Sequence, residues 1–142
     1  MKTFAYITPC LIALTTNLAS ADSSVGQDCA DVSLWNPGHW VWFLRANCYD
    51  KNKDSFCSLM WLDTCFAEVN GVLQPKLGGA GLRHCEQCTI NDYAMFCQCR
   101  DDNGNMVPTT TNLNDTLSVD DDGYVTCFNE TADSCGAEHR LT

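Results

Sequence analysis

Leu44-Arg-Ala46-Asn-Cys48, Leu62-Asp63 and Asn70-Gly71-Val-Leu73 recur along the chain as Met95-Phe-Cys97-Gln-Cys99, Leu113-Asn114-Asp115 and Asp122-Gly123-Tyr-Val125. The intervals recur as well, with 14 residues from cysteine to leucine in each set (48 to 62, 99 to 113). Moving outward, each set is preceded by another cysteine, in Cys29-Ala-Asp-Val32-Ser-Leu34 and Cys85-Glu-Gln-Cys88-Thr-Ile90. Before Cys48 the apolar residues Trp40, Trp42, Leu44 and Ala46 alternate, as do Tyr93, Met95 and Cys97 before Cys99. A period of two places each group on one face of a strand. On that reading Trp40 and Trp42 are buried beside Leu44, and Trp35, next to Pro37-Gly38, is the exposed aromatic. Polar turns follow, Tyr49-Asp-Lys-Asn-Lys-Asp54 and Arg100-Asp-Asp-Asn-Gly-Asn105, built of residues that tolerate left-handed backbone or bond their own main chain. Asn70-Gly71 and Asp122-Gly123 signal type I′ hairpins, which need positive φ at both central residues. The fold expected is all-β and duplicated, with Leu62-Asp-Thr-Cys-Phe66 as a single helical turn.

The ends and the middle set the boundaries. Met1-Lys2, an apolar run to about Leu14 and the small residues Ala19-Ser20-Ala21 have the layout of a secretory signal peptide over residues 1–21. No later window holds the ~18 apolar residues of a membrane span, so the mature protein is expected to be secreted and soluble. The first copy covers about 27–73, the second about 82–127, and 128–142 form a tail. Between the copies, Gln74-Pro-Lys-Leu-Gly-Gly-Ala-Gly81 reads as a hinge or linker. A copy of about 50 residues is marginal as an independent core. The two are expected to share one core by exchanging strands.

The whole chain carries 18 acidic residues against 8 Lys and Arg, a net charge of −10. A surface this acidic repels phosphate backbones and anionic headgroups, which argues against nucleic-acid and membrane-surface binding. Of 11 cysteines one, Cys10, lies in the leader, leaving an even number in a short secreted chain, the mark of a disulfide framework.

The ordered, doubled set of landmarks over Gln27 to Cys127 resembles the cyanovirin-N family of lectins. That resemblance implies a pseudo-symmetric, intertwined pair of repeats with three-stranded sheets and β-hairpins. It also implies the disulfides Cys29–Cys48 and Cys85–Cys99, and metal-free binding of mannose-rich oligosaccharides or glycoproteins without catalysis or cofactor. Two pockets carry over. The first combines Gln27 and Asp28 with Tyr49 and Lys51 and with Asp120 and Asp122. The second combines Glu68 and Asn70 with Arg83 and His84 and with Arg100 and Asp102. Amides, carboxylates and guanidinium groups supply the paired donors and acceptors that sugar hydroxyls need, and two sites on one body allow bivalent binding. The chain departs from the family by five extra residues between its first two cysteines, near Trp35-Asn-Pro-Gly-His39, and by six further cysteines. The Gly-rich linker is compatible with a monomer or a strand-swapped homodimer.

Cys57, Cys65, Cys88, Cys97, Cys127 and Cys135 admit 15 pairings. Cys88–Cys97 is attractive by proximity, but parity puts Cys85 and Cys88 on opposite faces while Cys97 and Cys99 share one, so both bonds need a bulge. Cys57–Cys65 and Cys127–Cys135 are local alternatives. A zinc reading of Cys85, Cys88, Cys97 and Cys99 conflicts with an oxidising compartment. The Asp120–Gly123 run fails the calcium-loop test, which would require ligands at Ser118 and Asn129. His39, His84 and His139 occur in unrelated contexts, and nothing singles out one carboxylate pair for glycoside hydrolysis. Two sequons, at Asn114 and Asn129, mark glycosylation candidates. The second reading of function is an extracellular effector or protein-interaction module on the same scaffold.

Overall fold

Alternation before Cys48 and Cys99 does produce strands. The computed structural model describes residues 23–38 and 40–136; the leader, His39 and residues 137–142 with His139 lie outside the described residues. A single helical turn, α1 (Val25–Asp28), leads into β1 (Cys29–Trp35), β2 (Phe43–Tyr49) and β3 (Ser55–Trp61). A 3₁₀ turn at Leu62–Thr64 follows, then a hairpin of β4 (Phe66–Val69) and β5 (Val72–Pro75). The second half repeats this order. A 3₁₀ turn at Gly81–His84 precedes β6 (Cys85–Asn91), β7 (Ala94–Arg100) and β8 (Met106–Asn112). Next come a 3₁₀ turn at Leu113–Asp115 and a hairpin of β9 (Ser118–Val119) and β10 (Val125–Cys127). The tail adds β11 (Glu130–Thr131) on β10 and β12 (Asp133–Ser134) on the outer edge of β3. Among the described residues no helix is long and apolar enough to cross a membrane.

The halves interleave through two equivalent bonds. Ser58 and Thr109 hold the fourth position of β3 and β8. Thr109 Oγ1 accepts the Leu73 N–H at 3.0 Å, and Ser58 Oγ accepts the Val125 N–H at 2.9 Å, both buried. Each hairpin thus docks on the sheet of the other half. Phe56 and Tyr124 add a ring contact across the same seam, with centroids 6.2 Å apart. One core results, in which Leu44, Met60, Leu62 and Phe66 pack with Leu82, Met95, Leu113 and Val125.

Equally regular is the use of the residue after Leu62 and Leu113. Asp63 Oδ1 accepts the Leu82 N–H at 3.1 Å, and Asn114 Oδ1 accepts the Gly26 N–H at 2.7 Å. Leu82 and Gly26 each stand three residues before the first cysteine of a half, so this side chain anchors the entry to the other repeat. The linker is not slack. Lys76, Gly78 and Ala80 donate to the carbonyls of Cys65, Thr64 and Asp63. At Gly81 a Cβ would run into the backbone of Ala67 and Glu68, so glycine serves close approach here.

Several sequence readings change. The interpolated residues fall between β1 and β2, as expected, but β2 begins only at Phe43. Trp40 is therefore a loop residue with φ 65° and 50% exposure, not a buried strand residue; Trp42 is half-buried against the core. Asn70 and Gly71 both take positive φ (49° and 81°), whereas at Asp122-Gly123 only the glycine does. That turn runs from Asp120 to Tyr124 and is closed by the Asp120 N–H donating to the Tyr124 carbonyl.

All ten cysteines of the described residues are paired, and the two local pairings are overturned. The bonds are Cys29–Cys48, Cys85–Cys99, Cys88–Cys97, Cys57–Cys135 and Cys65–Cys127. Parity is met by a bulge between Glu86 and Thr89, where Gln87 takes φ 53°. The extra residue turns Cys88 onto the face of Cys97, with Cα atoms 4.1 Å apart. The first half has the same bulge, with Asp31 at φ 52°, and carries Val32 and Ala46 in place of that cystine.

Candidate functional site

In the first pocket, Asp28 and Tyr49 flank the Cys29–Cys48 bond, while Gln27 is exposed on α1. The Lys51 N–H donates to the Asp121 carbonyl at 3.1 Å, which brings the β2–β3 turn against the far hairpin. Asp120 is already occupied, because its Oδ1 accepts the N–H groups of Asp122 at 3.1 Å and Tyr124 at 2.9 Å. Asp50 and Asp101 cap their own turns identically, each accepting two backbone N–H groups with one oxygen. Asp120 is therefore first a turn residue.

The second pocket is more completely assembled. Asn70 Oδ1 accepts the Asp102 N–H at 2.9 Å, tying the β4–β5 turn to the β7–β8 turn. Glu68, with a nearly buried side chain, accepts from the Gly71 N–H and lies 3.5 Å from His84 Nδ1. Arg83 Nε lies 3.7 Å from Asp63 Oδ2. Burial pushes the Asp63 carboxyl above its usual range, against the opposing pull of the Leu82 N–H and the Arg83 guanidinium. The 3₁₀ turn before Cys85 thus sets Arg83 and His84 at the rim, both largely exposed. Arg100 joins them at the end of β7 and makes no ion pair among the described residues.

Side chains beyond the two sets carried over from the resemblance line the site, among them two of the four tryptophans that could stack on sugar rings. Arg83, His84, Arg100 and Glu86 line a cleft of about 320 Å³ whose further wall is Trp40. A second cleft of about 240 Å³ adjoins it, lined by Trp40, Val41, Trp61, Asp63 and Arg83. Glu86 and Trp61 carry no motif. Trp40 was read as core because the alternation of apolar residues runs unbroken from the loop into β2; its place beside the extra residues was the available signal.

Two interleaved copies of a triple-stranded sheet plus hairpin define a pseudo-symmetric all-β architecture. The family model for the CVNH domain matches residues 26–121, and the chain belongs to that family. No curated protein matches the sequence significantly. Among solved structures, a designed cyanovirin-N homolog lectin, LKAMG, shares the fold at 21% identity and a TM-score of 0.64, covering 74% of this chain and 99% of its own. A MoCVNH3 variant solved with (N-GlcNAc)4 has 12% identity and a TM-score of 0.63, covering 76% and 98%. Microvirin, solved with mannobiose, has 16% identity and a TM-score of 0.60, covering 75% and 99%. At these identities the likeness concerns the fold.

Proposed function

We propose that this protein is a secreted, non-catalytic lectin whose principal site is the second pocket and whose ligands are mannose-type oligosaccharides. The supporting observation is that Arg83, His84 and Arg100, from two separate segments, line one open cleft, while Glu68 lies 3.5 Å from His84 Nδ1 and Asn70 Oδ1 accepts the Asp102 N–H. Such a set offers the neighbouring donors and acceptors that vicinal hydroxyls match. The relatives solved with mannobiose and with (N-GlcNAc)4 favour a sugar ligand. Asp120 in the first pocket is engaged in its own turn, as Glu68 is in the second.

A glycan array followed by calorimetry tests this reading. Binding to mannose-containing glycans, lost on Arg100→Ala, is the expected result. No binding to any such glycan at millimolar concentration sinks it, and capture of a protein partner insensitive to glycosidase would replace it with an extracellular interaction module. Secretion is checked by sequencing the N-terminus of protein from the medium, expected at Asp22.

A further inference from the structure

The loop between β1 and β2 has seven residues, from Asn36 to Trp42, where its counterpart between β6 and β7 has two, Asp92 and Tyr93. Its extra length carries an indole to the rim of the second pocket and leaves it half in water. Trp40 sits there in left-handed backbone, a conformation unfavourable for a bulky residue and characteristic of sites shaped for a purpose. Trp61, 40% exposed at the end of β3, stands across the adjoining cleft. Trp40 and Arg83 line both clefts, so the two adjoin along these side chains.

The walls differ in chemistry. Besides the shared Trp40 and Arg83, the inner cleft adds the charged or polar groups of His84, Glu86 and Arg100, whereas the outer one adds Val41 and Trp61 beside the carboxyl of Asp63. A pyranose ring has the matching division, hydroxyls around its edge and a face of C–H groups that packs on the electron-rich face of an aromatic ring. From this juxtaposition we propose that Trp40 and Trp61 form an outer subsite that stacks the sugar unit following a disaccharide held in the second pocket. The loop therefore makes this pocket selective for chain length, favouring neutral oligosaccharides of three or more units. The proposal rests on the lectin reading of that pocket and adds to it a residue pair the other half lacks.

The test follows backbone amides of Arg83 and Arg100 by NMR while di-, tri- and tetrasaccharides of mannose and of N-acetylglucosamine are titrated into the protein. Trp40→Ala, Trp61→Ala and Trp40→Phe are compared with the parent, with thermal melting as the fold control. Tri- and tetrasaccharides should bind the parent more tightly than the disaccharide by about threefold to tenfold, the worth of one aromatic stacking contact. Trp61→Ala, which leaves the inner cleft intact, should abolish that increment while changing disaccharide affinity less than about twofold; Trp40→Ala should abolish it as well, and Trp40→Phe should restore most of it. Equal losses for short and long sugars in Trp40→Ala and Trp61→Ala, or no increment in the parent, overturn the outer subsite while the lectin reading stands. Absence of any sugar-induced shift in the parent overturns both.

Discussion

Replacing Cys57 and Cys135 together by serine tests how the two long-range cystines share their work. The bond spans 78 residues of sequence, and on loop-closure entropy alone a cross-link of that span is worth about 4.5 kcal/mol. Cys65–Cys127 lies just inside it, however. With that inner bond intact, the shortest path between residues 57 and 135 runs from 57 to 65, across the cystine, and from 127 to 135. The loop actually closed is then about 18 residues, and the expected loss falls to about 3 kcal/mol. The converse pair, Cys65→Ser with Cys127→Ser, closes the same short loop in the entropy count but also opens the buried core around Cys65, so it should cost more. Guanidinium unfolding followed by tryptophan fluorescence, with the remaining cystines verified by mass, gives the free energies. The unfolded chain is also less confined, so the denaturant slope should rise. A loss below about 1 kcal/mol would refute the entropic account. So would a loss near 4.5 kcal/mol, because the inner bond would then be shortening nothing.

Four further outcomes are expected. Ser58→Ala and Thr109→Ala should each destabilise by about 1–3 kcal/mol, because a buried hairpin N–H loses its acceptor, and amide exchange at Val125 or Leu73 should quicken selectively; unchanged exchange refutes the clasp. Lys53, at φ 70°, occupies the turn position that Gly104 and Gly123 fill elsewhere, so Lys53→Gly should stabilise by about 0.5–1 kcal/mol in the same denaturation assay. Asp63 holds a raised folded pKa, so its contribution is complete below 3.8 and is lost as pH rises through the folded value. Asp63→Asn keeps an acceptor for Leu82, and its stability relative to the parent should increase with pH across that window; a flat difference contradicts it. Made in a eukaryotic secretory host, the protein should carry glycan at exposed Asn129 and not at Asn114, whose amide group holds Gly26, as peptide mass mapping will show.

Much of the fold was legible because its signals are local. Leu44, Ala46 and Cys48 alternate on a half-buried strand, and Asn70-Gly71 demands a tight hairpin. Strand parity named a bulge as the condition for Cys88–Cys97, but no composition cue at Gln87 or Asp31 says that the strand makes one. Cys57–Cys135 and Cys65–Cys127 were hidden for another reason: they join segments brought together only by the exchange of hairpins. Trp40 was lost to the core because a loop and a strand can share a period. At the site, the resemblance supplied Arg83, His84 and Arg100, which line one cleft, and the pairings of Glu68 with His84 and of Asn70 with Asp102, while Trp40 belongs to an insertion no family pattern describes and Trp61 to the end of β3.

The crossing cystines also fix when this chain must choose its partners. Each hairpin clasp, Leu73 to Thr109 and Val125 to Ser58, joins one half to the other, and a second copy would offer the same hydroxyls in the same places. Only the linker, pinned along residues 63–65, would have to peel away for halves to be traded. Once Cys57–Cys135 and Cys65–Cys127 have closed within a chain, that trade is barred by covalent bonds. A pair that traded before oxidation would be held by the same cystines running between chains, four in all, and would be separated by reductant and not by dilution. Oligomeric state is thus recorded at the moment of oxidation, a history that non-reducing electrophoresis can read.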